Sequence, residues 1–282
     1  MDDKRRTSEE KSVLTFEGPI VVHDPDDPYR GQYDEELVLT TSDWYHDQVP
    51  VLLHQMLVST NTEVLPPFPE AILLNDANQA TFYFTPGKTY KILVISMAAL
   101  ASTFLEFDSH TMRIIGVDGT YTHEYDANQI RVAPAQRYTF LLDAKPTDSK
   151  NYAFLASLDM NRDFAIDPNP VYPFNITGYI IYDDKKPLPS PYVVNKWTPA
   201  DDVKFMAWDN QLLLGEPDKT ITLNFNFGFD ALGIPRQVSP NGKCTHGANQ
   251  DKGHISTTKP TFHRKYQRSL QQLAQERRTQ IR

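Results

Sequence analysis

Between Glu36 and Asp184 the chain consists of short runs that favour extended backbone, and this restricts the fold more than any other feature. The runs are "ELVLTT", "AILLND", "ATFYFT", "TYKILVIS", "TMRIIGVDG", "QIRVA", "QRYTFLLDA", "YAFLASLD" and "ITGYIIYDD". They are rich in Val, Ile, Thr, Tyr and Phe, and turn residues bound them: Asp76-Ala77-Asn78, Pro86-Gly87, Asp118-Gly119 and Pro146-Thr147-Asp148. Alternation in "ATFYFT" and "RYTFLL" suits sheets with one wet face. No helical pattern intervenes, so an all-β sandwich or barrel is expected. The 282 residues, 40% of them hydrophobic, suffice for one large domain or two small ones with a sizeable core.

The flanks differ. Residues 185–219 are rich in Pro and Asp and weakly periodic, and read as a long connection over a surface. "TITLNFNF", Thr220 to Phe227, resumes the period of two, with little after it to pair with. Past Pro235 the chain is polar until "TFHRKYQRSLQQLAQERRTQIR", where Tyr266, Leu270, Leu273 and Ala274 fall on one side of a basic helix. Residues 241–282 carry a net charge of +7, which leaves −15 for the rest. Such a shift marks a boundary. The tail has little aromatic interleaving, so it reads as a solvated segment and not as a nucleic-acid or membrane arm.

Other classes are excluded by composition. The single cysteine, Cys244, permits no intramolecular disulfide and no Cys cluster for zinc. "MDDKRRTSEEKS" has no apolar run behind it, unlike a signal peptide. No apolar stretch has the length of a membrane span. The chain has no Gly-x-Ser-x-Gly elbow, phosphate loop, dinucleotide fingerprint or His-x-His pair.

Several residues are candidates for chemistry. "SDWYHD" places Asp43 at the exit of a strand, where it could accept a substrate hydroxyl or bind a hard cation. The competing reading makes Trp44 and Tyr45 core and pairs His46 with a backbone group. Asp159, Asn161 and Asp163 are spaced like the first ligands of an EF-hand. Phe164 and Pro170 occupy its Gly and Glu positions, so an acidic loop able to assist cation binding is expected instead. "DPDDPYRGQYDEE", Asp24 to Glu36, reads as a solvated acidic turn, and His110 as a satisfied structural histidine. Cys244 and His246 make a weak metal pair. Asn175 opens a glycosylation triplet, Asn-Ile-Thr, meaningful in a secreted protein.

Read jointly, "GPIVVHDPDDPY", "YDEELVLTTSDWYHD", "PGKTYKILVIS", "LASTFLEFDSHTMRIIGVDG", "VAPAQRYTFLLDA", "FNITGYIIYDD" and "LGEPDKTITLNF" resemble the fungal multicopper oxidases, in particular iron-transport ferroxidases and laccase-like pigment oxidases. The resemblance runs from about Gly18 to about Pro235. It implies an all-β, cupredoxin-like Greek-key sandwich over residues 35–184, the central one of three such domains. Residues 1–16 would be an unstructured leader, 17–34 the end of a preceding domain and 185–219 the connecting segment. Residues 220–240 would begin a truncated third domain, with 241–282 a disordered or helical tail outside the family pattern.

The resemblance also implies oxidation of phenols, pigment precursors or ferrous iron, coupled to reduction of dioxygen to water. Copper is the cofactor of the intact enzymes, and its ligands lie in His-rich motifs of the first and third domains. Those motifs are missing here, so no stoichiometric copper is expected in this chain, as a truncated or misjoined gene would explain. In laccases the acid of the Asp-Trp-Tyr-His word contacts substrate; in ferroxidases a Glu there binds iron. Asp43 is thus an implied substrate contact of the laccase-like kind, and Asp159 or Asp163 would match a second acid. An iron permease is an implied partner, and a secreted or cell-surface location is implied although the chain shows no signal peptide. The alternative is a non-catalytic cupredoxin-type interaction module or an unproductive fragment.

Overall fold

Alternation decides which side of each run turns inward. In "TYKILVIS", Tyr90, Ile92, Val94 and Ser96 are buried on one face. In "TFY", Phe82 is buried between exposed Thr81 and Tyr83. The computed structural model describes residues 18–61, 66–159, 174–210, 226–229 and 233–238. Its strands are β1 (Glu35–Trp44), β2 (Ala71–Leu74), β3 (Thr81–Tyr83), β4 (Thr89–Ser96), β5 (Thr103–Phe107), β6 (Met112–Val117), β7 (Thr120–Ala127), β8 (Gln129–Val132), β9 (Arg137–Asp143), β10 (Tyr152–Leu158) and β11 (Asn175–Ile181). They form a six-stranded sheet, ordered β2-β1-β4-β9-β6-β7, and a five-stranded sheet, ordered β3-β11-β10-β5-β8. The chain changes sheet at Asn128, between β7 and β8. The fold is an all-β, cupredoxin-like sandwich.

β6 and β7 are joined at Asp118-Gly119, with φ of 52° and 82°. Two consecutive left-handed residues give the turn that matches strand twist, which is why Gly follows Asp there. The Asp118 carboxylate accepts from the Arg137 N–H at 2.9 Å, tying the turn to β9. Inside the sandwich, Phe154 stacks on Phe107 and Phe82 at centroid distances of 4.8 and 5.7 Å. Its ring lies over Gly178, where an added Cβ would come within 2.1 Å of it. Gly178→Ala should therefore lower unfolding free energy by about 1–3 kcal/mol through overpacking. A urea titration of the full chain checks this; an unchanged midpoint would show that Phe154 can swing away.

Three departures from the sequence reading have physical causes. First, residues Val49–Met56 form an α-helix, α1, where only turns were expected. Pro50 sits in its first turn, where a missing N–H costs nothing, and no Gly follows to break it. Second, the acidic turn before β1 is not solvated throughout: Asp27 and Tyr29 are buried. The Tyr29 hydroxyl donates to the Thr122 carbonyl at 2.6 Å, and the ring packs with Ile115 and Leu141 on the outside of the six-stranded sheet. Third, the strand read at Thr220–Phe227 has a partner: β12 (Asn226–Phe229) pairs antiparallel with β13 (Pro235–Val238). The leader, the basic tail and its expected helix lie outside the described residues.

Residues 188–210 form a strap across the sandwich. Trp197 stacks on Phe104 at 5.0 Å, and Phe205 packs edge-on against Tyr125 at 5.0 Å. Ala200 N–H donates to the Gln129 carbonyl, and Ala207 bridges to Thr122. These contacts occupy the outer edges of β8 and β7, which would otherwise present unpaired backbone.

Candidate functional site

Asp43 lies one residue before the end of β1, on the inward-facing side shared with Leu39 and Thr41. At that end of the sandwich the chain crosses from β4 to β5, and Asp43 fastens the crossing. Its Oδ1 accepts from Ala99 N–H at 2.9 Å, and its Oδ2 from Leu100 N–H at 2.8 Å and Ala101 N–H at 3.2 Å. The residue nevertheless remains partly exposed. Asp43 is therefore both engaged by backbone donors and open to solvent.

Its neighbours do not fill the core. Trp44 is 47% exposed. Tyr45 is half-buried and donates its hydroxyl to the Pro67 carbonyl at 3.3 Å; burial, and then the Asp43 charge, raise its pKa well above the usual phenol range. His46 is joined through Nδ1 to the Glu70 carboxylate. α1 follows directly, and none of its eight residues is buried. Asp43 thus stands at an end of the sandwich where a carboxylate, an exposed indole and an unburied apolar helix follow one another.

Asp159 is at the same end, since its N–H donates to the Ser102 carbonyl at 2.8 Å, next to the segment held by Asp43. It is 8% exposed, and its Oδ2 accepts from Arg131 Nε at 2.6 Å. The structure therefore brings Asp43 and Asp159 to opposite ends of one loop, 99–102, but gives the buried Asp159 a cationic partner, the partly exposed Arg131. Asp163, Cys244 and His246 lie outside the described residues. Asn175 is exposed at the start of β11. His110 is far along the sandwich, at the β5–β6 turn; Nδ1 contacts the Asp108 carbonyl at 2.6 Å and Nε2 the Tyr182 hydroxyl at 3.0 Å. The residues missed by sequence reasoning are those that serve Asp43 and Asp159. The backbone donors of residues 99–101 leave no trace in side-chain identity. Arg131, a charge inside the apolar run "QIRVA", was a visible signal.

A copper centre needs converging thiolate and imidazole donors. Among the described residues no group of three or more His, Cys, Asp and Glu side chains could hold a metal ion. The described donor set therefore does not fit copper. Among the described residues no helix is long and apolar enough to cross a membrane.

Because three charge-assisted hydrogen bonds converge on Asp43, Asp43→Asn should destabilise the chain by about 1–3 kcal/mol, since an amide cannot accept all three. This reverses the small effect expected of a purely solvent-facing substrate contact. Chemical unfolding of the full chain measures it, and a loss below a few tenths would mean that the loop supports itself.

Residues 35–180 match the family model described as "Multicopper oxidase". Over 209 residues the chain is 42% identical to the iron transport multicopper oxidase fetC of Epichloe festucae, covering 73% of this chain and 33% of that protein. The crystal structure of Fet3p, a multicopper oxidase that functions in iron import, superposes with a TM-score of 0.72 at 27% identity, covering 77% of this chain and 41% of that one. The laccase of Botrytis aclada shares the fold, with a TM-score of 0.57 at 18% identity over 73% of this chain and 40% of that chain. The chain spans about a third of the length of the curated relatives it matches, 33% for the first.

Proposed function

The chain belongs to the multicopper oxidase family, and from that premise we propose that it supplies the central sandwich of an oxidase that takes electrons from ferrous iron and reduces dioxygen to water. Copper carries those electrons in the intact enzyme, held by segments other than the described residues. The task of this sandwich is to present Asp43 to the substrate. The observation that carries the reading is the incompletely used carboxylate at this end of the sandwich. A carboxylate has about four acceptor positions; three N–H groups take three and fix the orientation, and partial exposure leaves acceptor capacity for a cation. Asp159, paired with Arg131, anchors the loop that carries those N–H groups, and Asp163 is the further acid available to the cation.

The similarity to iron-transport enzymes favours ferrous iron. A phenolic substrate is the second reading, favoured by the shorter Asp side chain and by Trp44 exposed beside it. An iron-transport role further implies a secreted or cell-surface enzyme and a membrane iron permease to receive the product.

The test is a chimera in which residues 18–235 replace the matching third of the Epichloe festucae oxidase. Oxidation of ferrous iron by the purified, copper-replete chimera is expected. A folded, copper-replete chimera that oxidises phenols and leaves ferrous iron untouched would favour the second reading, and one inert to both would overturn the proposal. The 282-residue chain alone should hold less than stoichiometric copper and lack the intense visible absorption of a thiolate–copper bond, because among the described residues the required donors do not converge. Metal analysis and a visible spectrum check this; one tightly bound copper per chain would contradict it.

A further inference from the structure

Two buried hydroxyls lie side by side at the end of the sandwich that Asp43 fastens. Parallel pairing of β1 and β4 sets Thr41 beside Ser96. Both point inward, Thr41 in line with Leu39 and Ser96 in line with Val94, and they are 0% and 4% exposed. Yet among the described residues neither Thr41 Oγ1 nor Ser96 Oγ has a hydrogen-bond partner. Hydroxyls paired across strands commonly bond one another; these two do not. Nearby polar groups are turned elsewhere. The Asp43 carboxylate holds the N–H groups of residues 99–101, and the Gln136 side chain holds Ala133 N–H and the Tyr138 hydroxyl. The crossing from β4 to β5 shuts this place off from solvent. It starts where Met97 N–H donates to the Thr41 carbonyl at 2.8 Å and runs on to buried Ala101 and Ser102.

We propose that Thr41 and Ser96 hold one internal water molecule between their hydroxyls, sealed in by residues 97–102. A buried hydroxyl without a partner carries its full desolvation cost, so two of them in register mark the place of a third polar group. Each hydroxyl can donate one hydrogen bond and accept others. A bridging water spans up to about 5.5 Å between two oxygens, where a direct bond needs about 2.8 Å. Two to four polar partners are what an internal water requires, and the two hydroxyls meet that requirement. Neither hydroxyl is bonded to a charged side chain, so the pair suits a neutral ligand and not an ion. The water shares its cover with Asp43, because the loop that donates to Asp43 is the loop that closes over Thr41 and Ser96. It enters or leaves only when that loop opens. The site rests on neither the iron reading nor any oxidase activity.

The test uses nuclear magnetic resonance of the full chain with isotope-labelled threonine methyl groups. Cross-relaxation from a slowly exchanging water to the Thr41 methyl is expected. It should vanish in Ser96→Ala, a variant that keeps the Thr41 hydroxyl and so controls for exchange of that hydroxyl's own proton. Thr41→Val and Ser96→Ala should each lower the urea midpoint. The double variant should fall no further than the worse single one, since the water leaves with the first hydroxyl. Magnetic relaxation dispersion of the water oxygen reads the residence time, which Asp43→Asn should shorten roughly tenfold by loosening the loop. A native chain without slow water at the Thr41 methyl overturns the site. So does a raised midpoint in Thr41→Val, the result for an unpaired hydroxyl relieved of its burial. Additive losses in the double variant would overturn the shared water, and an unchanged residence time in Asp43→Asn would overturn the sealing role of the loop.

Discussion

Asp27→Ala should cost about 3–5 kcal/mol of unfolding free energy, the range for a buried ion pair left with one partner. Lys91 rises from the middle of β4 and is 8% exposed. Its Nζ donates to Asp27 at 3.0 Å and to Glu36 at 3.2 Å, and sits 4.9 Å from the Tyr33 ring centroid. Burial alone would raise the pKa of Asp27. Hydrogen bonds from Lys91 and the Tyr29 N–H, the Lys91 charge and the Tyr33 hydroxyl outweigh it and lower the value. Removing the carboxylate leaves the ammonium to Glu36 alone and frees the turn that seats Tyr29. Asp27→Ala combined with Lys91→Met should recover much of the loss, because no buried ammonium then remains and the partly exposed Glu36 can turn to solvent. Urea midpoints of the single and double variants check this; a double variant as unstable as the single one would show that the turn matters and the charge does not.

Lowering the pH from about 7 to 4 should cost the native chain about 3 kcal/mol through His110 alone. Burial, and after it the charges of Lys145 and Lys150, push this imidazole down to about 4, despite the Asp108 carbonyl and charge, which act to raise it. The folded state thus favours the neutral ring, and the unfolded chain takes up a proton first, near 6.5. Stability is therefore fully present above pH 6.5 and lost as pH falls from there to about 4. The distance from 6.5 to about 4 sets the magnitude, at about 1.4 kcal/mol for each factor of ten in proton affinity. Protonated Nε2 could no longer accept from the Tyr182 hydroxyl, which also accepts from Lys145 N–H at 2.7 Å. His110→Gln can keep an acceptor there and cannot titrate. Stability measured from pH 7 to 4 should fall more steeply for the native chain than for that variant. Equal slopes would place the acid sensitivity in the carboxylates.

The strands were legible because alternation and turn chemistry act within ten residues. "TYKILVIS" and "ATFYFT" carry their inward faces in their own spacing, and Asp118-Gly119 carries its turn. What escaped depends on distance along the chain. Lys91 and Asp27 are 64 residues apart, and Asp27 looked like one more solvated acid in "DPDDP". The three donors on Asp43 come from backbone 56–58 residues away, which no side-chain pattern announces. α1 was hidden by its shortness and by Pro50, which reads as a breaker but fits a first turn. Asp43 was legible as a candidate, because a carboxylate at a strand exit among aromatic residues stands out; that it holds a loop was not.

The most direct test of the substrate role of Asp43 is the KM for ferrous iron of the chimera carrying Asp43→Asn, measured beside its copper content and the unfolding midpoint of the 282-residue variant. The geometry predicts a KM raised about tenfold, the effect of about 1.4 kcal/mol of lost contact, with copper content unchanged and the midpoint lowered. A lowered midpoint with an unaltered KM in the surviving folded chimera would contradict it and reduce Asp43 to the anchor of residues 99–101.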